Sequence, residues 1–245
     1  MTRKLLFSIF AITFYLSGFS QAMLRDTSIQ IISFQFGYGS FLTAANMDEK
    51  ANLLHNFGPS LSFKTSNNWL IQSHLNLFLG HKSLENETAN MVFSEIGLPI
   101  NSEGLLEEVG SRFQGFAVCF DVGKLIIPSD YNKNSGLWLS AGLGFIQHRL
   151  KFVYGGQLVT QLEEPYVKGY DRLTNGLLIN QFIGYRRYSN KNNFNYTIGI
   201  EINEGLTQNR RSWNYDTFDP MNEARLDMYY GLKFNVILPF YGVSN

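Results

Sequence analysis

Apolar and polar residues alternate with a period of two along most of the chain from residue 29 onward. Successive side chains of an extended strand point to opposite faces, so each such stretch predicts a strand with one apolar and one polar face. The first, 29–41, sets Phe34, Phe36 and Tyr38 against Gln35, Gly37 and Gly39. The second, 54–64, sets Phe57, Leu61 and Phe63 against Gly58, Ser60 and Ser62. The third, 69–80, has Ile71, Leu75, Leu77 and Leu79 opposite Gln72, His74 and Asn76. In the fourth, 112–125, Phe116, Val118, Phe120 and Val122 oppose Gly115, Ala117, Cys119 and Asp121. The fifth, 137–152, alternates Leu139, Ala141, Leu143 and Phe145 with Ser140, Gly142 and Gly144. The sixth, 176–188, alternates Leu177, Ile179, Ile183 and Tyr185 with Asn180, Gly184 and Arg186. The seventh, 194–203, is the most regular, and the eighth, 225–241, sets Leu226 to Leu238 against Asp227, Tyr229, Gly231, Lys233 and Asn235.

A soluble sandwich or a lipocalin-like barrel would alternate in the same way. Two features favour a barrel that spans a membrane. Long connections (42–53, 81–111, 153–175 and 204–224) alternate strictly with short ones (65–68, 128–136 and 189–193), as in membrane barrels with tight turns at one end and long loops at the other. The polar faces are rich in Gly, Ser, Asn and Gln, which suits a filled lumen and not an apolar ligand cavity. Aromatic residues near the strand ends (Trp69, Trp138, Tyr185, Tyr188, Phe194, Tyr196, Phe240 and Tyr241) would form girdles at the two interfaces. The expected fold is therefore all-β, an eight-stranded antiparallel transmembrane β-barrel. Ten strands are the alternative, if 91–98 or 158–162 are also extended.

The amino-terminus reads as an export signal. Arg3 and Lys4 precede an apolar run over 5–16, and Ser20-Gln21-Ala22 offers small residues where a signal peptidase cuts. The run is shorter than the ~20 residues of a spanning helix. This divides the chain into a cleaved signal peptide, 1–22, and a barrel domain, 23–245. Composition agrees with such a destination. Charged residues make up only 16% of the 245, against about 25% in ordinary soluble domains, while aromatics reach 15%. Twenty basic residues balance twenty acidic ones, which removes the basic excess that nucleic-acid binding requires. A single cysteine, Cys119, excludes an intrachain disulfide.

With a cleavable signal, eight strands and alternating loops, nearly the whole mature chain resembles the small bacterial outer-membrane barrels of the OmpA and OmpX type. Its last strand adds to the likeness. Tyr229-Tyr230-Gly231-Leu232-Lys233-Phe234-Asn235-Val236 is similar to the signal by which such barrels reach the assembly machinery, although here the chain continues to Asn245. The Asn-rich turns and the load of Tyr and Phe look like barrels of Bacteroidota. The resemblance implies localisation in the outer membrane, contact with outer-membrane lipid and lipopolysaccharide, and the barrel-assembly machinery as a partner during insertion.

Eight strands leave an interior just wide enough to be filled by side chains. No open pore is therefore expected. Asp121, Arg186, Glu201 and Lys233 should lie in the lumen and pair in a polar network, because an unpaired buried charge is costly. Among catalytic candidates, His81-Lys82-Ser83 with Glu85 has the ingredients of a hydrolase triad, and is faintly similar to the outer-membrane lipid A deacylases. Chance proximity of common residue types is the plainer reading. His55 and His148 are expected near the rims and His74 inside. No histidine has metal-ligand spacing, and Asp216, Asp219 and Glu223 lack the spacing of a calcium loop, so no metal or cofactor is expected. The loop after strand five would either fold over the mouth or extend its strands. The last loop carries Arg210, Arg211, Trp213, Tyr215 and Phe218, the composition of an interface hot spot, unless it packs on its own barrel.

The leading functional expectation is a non-enzymatic outer-membrane barrel. It would act through its extracellular loops or as an accessory subunit of an envelope assembly or secretion complex. The alternatives are a lipid A or phospholipid acyl hydrolase and a porin-like barrel for uptake of a small apolar ligand. Removal of the signal is directly testable. Amino-terminal sequencing of the exported protein should begin at Met23, and a chain that keeps Met1 would overturn the cleavage.

Overall fold

The computed structural model describes residues 27–48, 51–81, 99–107, 109–130, 132–189, 194–215, 218–221 and 223–241. Eight long strands form where the sequence alternates: β1 (Ile31–Ala45), β2 (Leu53–Lys64), β3 (Trp69–His81), β4 (Val109–Ser129), β5 (Asn132–Tyr154), β6 (Thr174–Arg187), β7 (Asn195–Asn209) and β8 (Ala224–Tyr241). Each pairs antiparallel with its neighbours in sequence, and β8 returns to pair with β1, from Ile31 opposite Tyr241 to Ala45 opposite Asp227. The sheet is a closed barrel without an edge. Residues 158–162 do not add a strand but end in a short 3-10 helix, Thr160–Leu162. Residues 91–98 lie outside the described residues. Trp213–Asn214 and Asp219–Pro220 pair as a small ladder in the last loop.

The turns at one end are short for local reasons. Between β2 and β3, the Thr65 backbone N–H donates to the Trp69 carbonyl at 2.8 Å, and Asn68 takes φ 64°. Asn tolerates this left-handed conformation better than most side chains. Between β4 and β5, the pairing persists to Ser129 and Asn132, well into the expected 128–136 loop. Pro128 and the Asn-rich stretch read as a connection, but irregular pairing between Leu125 and Ser129 absorbs the proline. Asn132 and Asn134 then point inward and are buried.

Outward side chains are apolar over a band. From Ile32 to Leu42, and from Trp69 to Leu79, this face is apolar apart from Ser40 and Ser73. At ~3.3 Å per residue and a tilt of ~40°, either run is roughly 25 Å tall. At the turn end the band is ringed by Trp69, Tyr185, Phe194, Tyr196 and Phe240. Lys124 lies 5.3 Å from the Trp69 ring and Arg187 lies 5.9 Å from the Tyr196 ring. Trp138 and Tyr188 do not join this girdle. Both are buried inside, because Trp138 is in phase with inward Ser140 and Tyr188 with inward Arg186.

The interior is layered. Toward the loop end, Phe41, Leu54, Phe78, Phe113, Ile146 and Tyr229 belong to one buried apolar cluster. Met47 and Ala51 of the first loop reach into it and are fully buried, so this loop stops the mouth. The loop after β5 instead builds its own small core, with Val159, Leu162 and Tyr170 on Phe152. Lower layers mix polar groups with two small apolar clusters, one of Leu70, Leu125, Trp138 and Phe182 and one of Ile31, Tyr188 and Ile237, with glycines where large side chains need room. Gly184 and Gly199 face each other across β6 and β7, and a Cβ on either would sit 2.6 Å from the Phe182 ring. A Cβ on Gly199 would also press on the Ile183 carbonyl and Gly184 Cα, so Gly199→Leu should displace both Phe182 and the β6 backbone and cost at least about 1–3 kcal/mol. The check is urea unfolding in micelles, followed by the electrophoretic shift between folded and heated barrel.

Candidate functional site

Side chains bridge the lumen at every level. At the turn end, Lys64 of β2 donates from Nζ to Asn134 Oδ1 of β5 at 3.0 Å and to the Ile29 carbonyl at 3.2 Å. Asn132 donates to the Tyr188 carbonyl at 3.0 Å. This floor joins strands on opposite walls.

Arg186 lies one layer up and is 1% exposed. Its Nε donates to Thr197 Oγ1 at 3.1 Å. Nη1 reaches Ser62 Oγ at 3.5 Å and Tyr188 Oη at 3.4 Å, and Nη2 reaches Gln35 and Gln72 Oε1, each at 3.2 Å. The Trp138 ring covers its Cζ at 4.2 Å. Its five N–H donors thus meet five neutral acceptors, and no carboxylate among the described residues lies within ion-pair distance.

The other lumen charges form separate pairs. Lys233 Nζ lies 2.5 Å from Glu201 Oε2 and 3.3 Å from Asn76 Oδ1, while Asn203 donates to Glu201 Oε1 at 3.1 Å. His74 Nδ1 lies 2.9 Å from Asp121 Oδ2, close in distance but not aligned as a hydrogen bond. His148 is not at a rim. It is buried beneath the mouth, with Nε2 2.8 Å from Asp227 Oδ2, which also accepts from Thr207 Oγ1 at 2.6 Å. Even spacing puts His148 in phase with inward Ile146, which is the signal that marks it. Of the histidines, His55 lies on the outer wall, its Nδ1 2.7 Å from Tyr38 Oη. Cys119 is buried within the apolar cluster.

Ser83 and Glu85 lie outside the described residues, as does the side chain of His81, which closes β3. Among the described residues no group of three or more His, Cys, Asp or Glu could hold a metal ion.

The last loop divides in two. Arg211 pairs with Asp171 through Nε at 2.8 Å and through Nη2, and this hydrogen bonding raises its pKa above the ordinary value. Tyr215 donates its backbone N–H to the Gly169 carbonyl at 3.1 Å and packs its ring edge-on to Tyr170, with centroids 5.4 Å apart. Arg210 donates from Nε to Asn175 at 2.5 Å. These three dock the loop on its neighbour. Trp213 and Phe218, 43% and 64% exposed, do not share that fate and stand free at the loop end.

No protein-family model matches the chain, and none of the curated proteins matches it. Among solved structures, it is similar to Ail, the attachment invasion locus protein of Yersinia pestis, in complex with the heparin analogue sucrose octasulfate. The identity there is 10% and the TM-score 0.46, over 86% of this chain and 99% of that one. It is also similar to the N-terminal β-barrel domain of Pseudomonas aeruginosa OprF, at 11% identity and TM-score 0.35 over 83% of this chain and 96% of that one. A third is the outer membrane protein OprG from Pseudomonas aeruginosa, at 9% identity and TM-score 0.39 over 90% of this chain and 100% of that one.

The central ion pair carries a testable asymmetry. Lys233→Met strands the Glu201 carboxylate and should cost about 3–5 kcal/mol, whereas adding Glu201→Gln should recover most of the loss. Equilibrium unfolding of the two variants in micelles measures both.

Proposed function

We propose that this chain is a non-enzymatic outer-membrane barrel, exported by the signal at residues 1–22, that acts through its loop end. One observation carries the reading: a closed sheet is apolar outside and cross-braced inside from floor to mouth. A sheet that crosses lipid must satisfy every backbone polar group internally, and closure does this. An outer wall this apolar would be a large aggregation-prone patch in water. Inside, Lys64–Asn134, Arg186–Gln72, Lys233–Asn76 and His148–Asp227 tie opposite walls together, leaving the lumen to side chains. The apolar upper lumen is filled by Phe41, Phe78 and Tyr229 under Met47, which disfavours uptake of an apolar ligand by this route.

What remains available for work is the loop end. Exposed Trp213 and Phe218, held on a loop anchored by Arg211 and Tyr215, have the character of an interface anchor. The partner would be a protein subunit of an outer-membrane assembly or secretion complex, with the barrel-assembly machinery engaged only during insertion.

The test is purification from native membranes in mild detergent, with mass spectrometry of what accompanies the barrel. A stoichiometric subunit is expected, lost on Trp213→Ala with Phe218→Ala while the barrel still folds. A consistently solitary barrel would overturn the complex reading, and recovery outside the outer-membrane fraction would overturn the location.

A further inference from the structure

The outer wall is not uniform at the loop end. β4 and β5 run on beyond the apolar band, and there Arg112 stands directly opposite Lys151, and Gln114 opposite Arg149. Arg112, Arg149 and Lys151 all point outward and are exposed. Like charges directly opposite on a sheet repel. Of the carboxylates that share their groove, Glu164 pairs with Lys168 at 2.8 Å and Asp171 pairs with Arg211, which leaves Glu163, the acceptor from Tyr154, as one negative charge against three positive ones. Among the described residues, none of the three cations has a carboxylate within ion-pair distance.

The cationic groove, of about 610 Å³, continues downward through Arg149 into a second of about 510 Å³. This lower groove has Gln114 and Gln147 near its top and Leu77, Leu79 and Phe116 along its wall. Positive charge above, amide donors between and an apolar trough below are the complement of one kind of molecule. It has an anionic head rich in oxygen and a hydrocarbon tail.

We propose that this face of β3–β5 is a binding site for a phosphorylated glycolipid of the outer leaflet. Its phosphate would lie among Arg112, Arg149 and Lys151, and an acyl chain would run along Leu77, Leu79 and Phe116. Phosphate suits the cluster because charge-assisted hydrogen bonds from guanidinium are strong and directional. The site rests on the membrane reading above, and would make this wall the one that holds lipid in place while the others slide past it.

The test uses the full chain folded in micelles, loaded with bis-phosphorylated lipid A, exchanged into fresh detergent, and weighed by native mass spectrometry. Wild type should retain a stoichiometric lipid. Arg112→Gln, Arg149→Gln and Lys151→Gln together should lower retention at least about tenfold. Lys124→Gln with Arg187→Gln, at the opposite girdle, should leave it unchanged, and Arg112→Lys with Arg149→Lys, which keeps the charge but loses the forked donors, should fall between wild type and the triple variant. Full retention by the triple variant, or equal retention of dephosphorylated lipid, would overturn the phosphate site. Displacement by pyrophosphate alone, at the concentration at which lipid A itself competes, would overturn the acyl groove. A folded, heat-shifting barrel that releases lipid A overturns only this site. A chain that forms no such barrel in micelles or bilayers overturns the membrane reading itself.

Discussion

The hydrogen-bonded seam between β1 and β8 is the constraint on which the rest of the structure depends. It joins the two ends of the sheet, and so removes the unpaired edges that would otherwise face either water or hydrocarbon. Closing at eight strands also sets the bore. Opposite walls then come close enough for one long side chain to cross, which is what Arg186, Lys233 and His148 do. The apolar exterior and the polar interior are thus two results of one closure. With a wider ring the same inward Gln, Ser and Asn side chains would line water.

Burial treats the lumen charges in different ways. Glu201 and Lys233 neutralise each other at contact distance. Arg186 has no such partner among the described residues and is solvated by five neutral oxygens and the face of Trp138. A delocalised guanidinium tolerates this better than an ammonium would, since its planar fork can spend every donor at once. The inward glycines make the arrangement possible. Gly142 leaves space beside Asp121, and Gly184 and Gly199 leave space for Phe182.

Alternation over the eight strands was enough to read the barrel, its strand order and the inward side of each strand, because a period of two has only two phases. It was not enough where composition argued against pattern. Asn132 and Asn134 look like turn residues, yet they continue the inward phase of β5 and bind Lys64 and Tyr188. Trp138 and Tyr188 look like interface aromatics by type and position, yet phase with Ser140 and Arg186 sends them inside. Across the lumen, sequence carries no register. Nothing in the spacing of His148 and Asp227, or of Arg186 and Gln35, announces that they meet. The loops were legible only as composition, which could not separate Arg211 and Tyr215, which contact Asp171 and Tyr170 of the neighbouring loop, from Trp213 and Phe218, whose side chains point to solvent.

The stacking of the lumen charges also has an electrical result. Lys64 lies in the floor with Arg186 one layer above it, Glu201 and Lys233 pair with each other, and Asp121 and Asp227 lie beside His74 and His148. Basic side chains without a carboxylate partner among the described residues thus gather toward the turns, while Asp227 lies toward the loops. A cation approaching the bore from the turn side therefore meets charge of its own sign first.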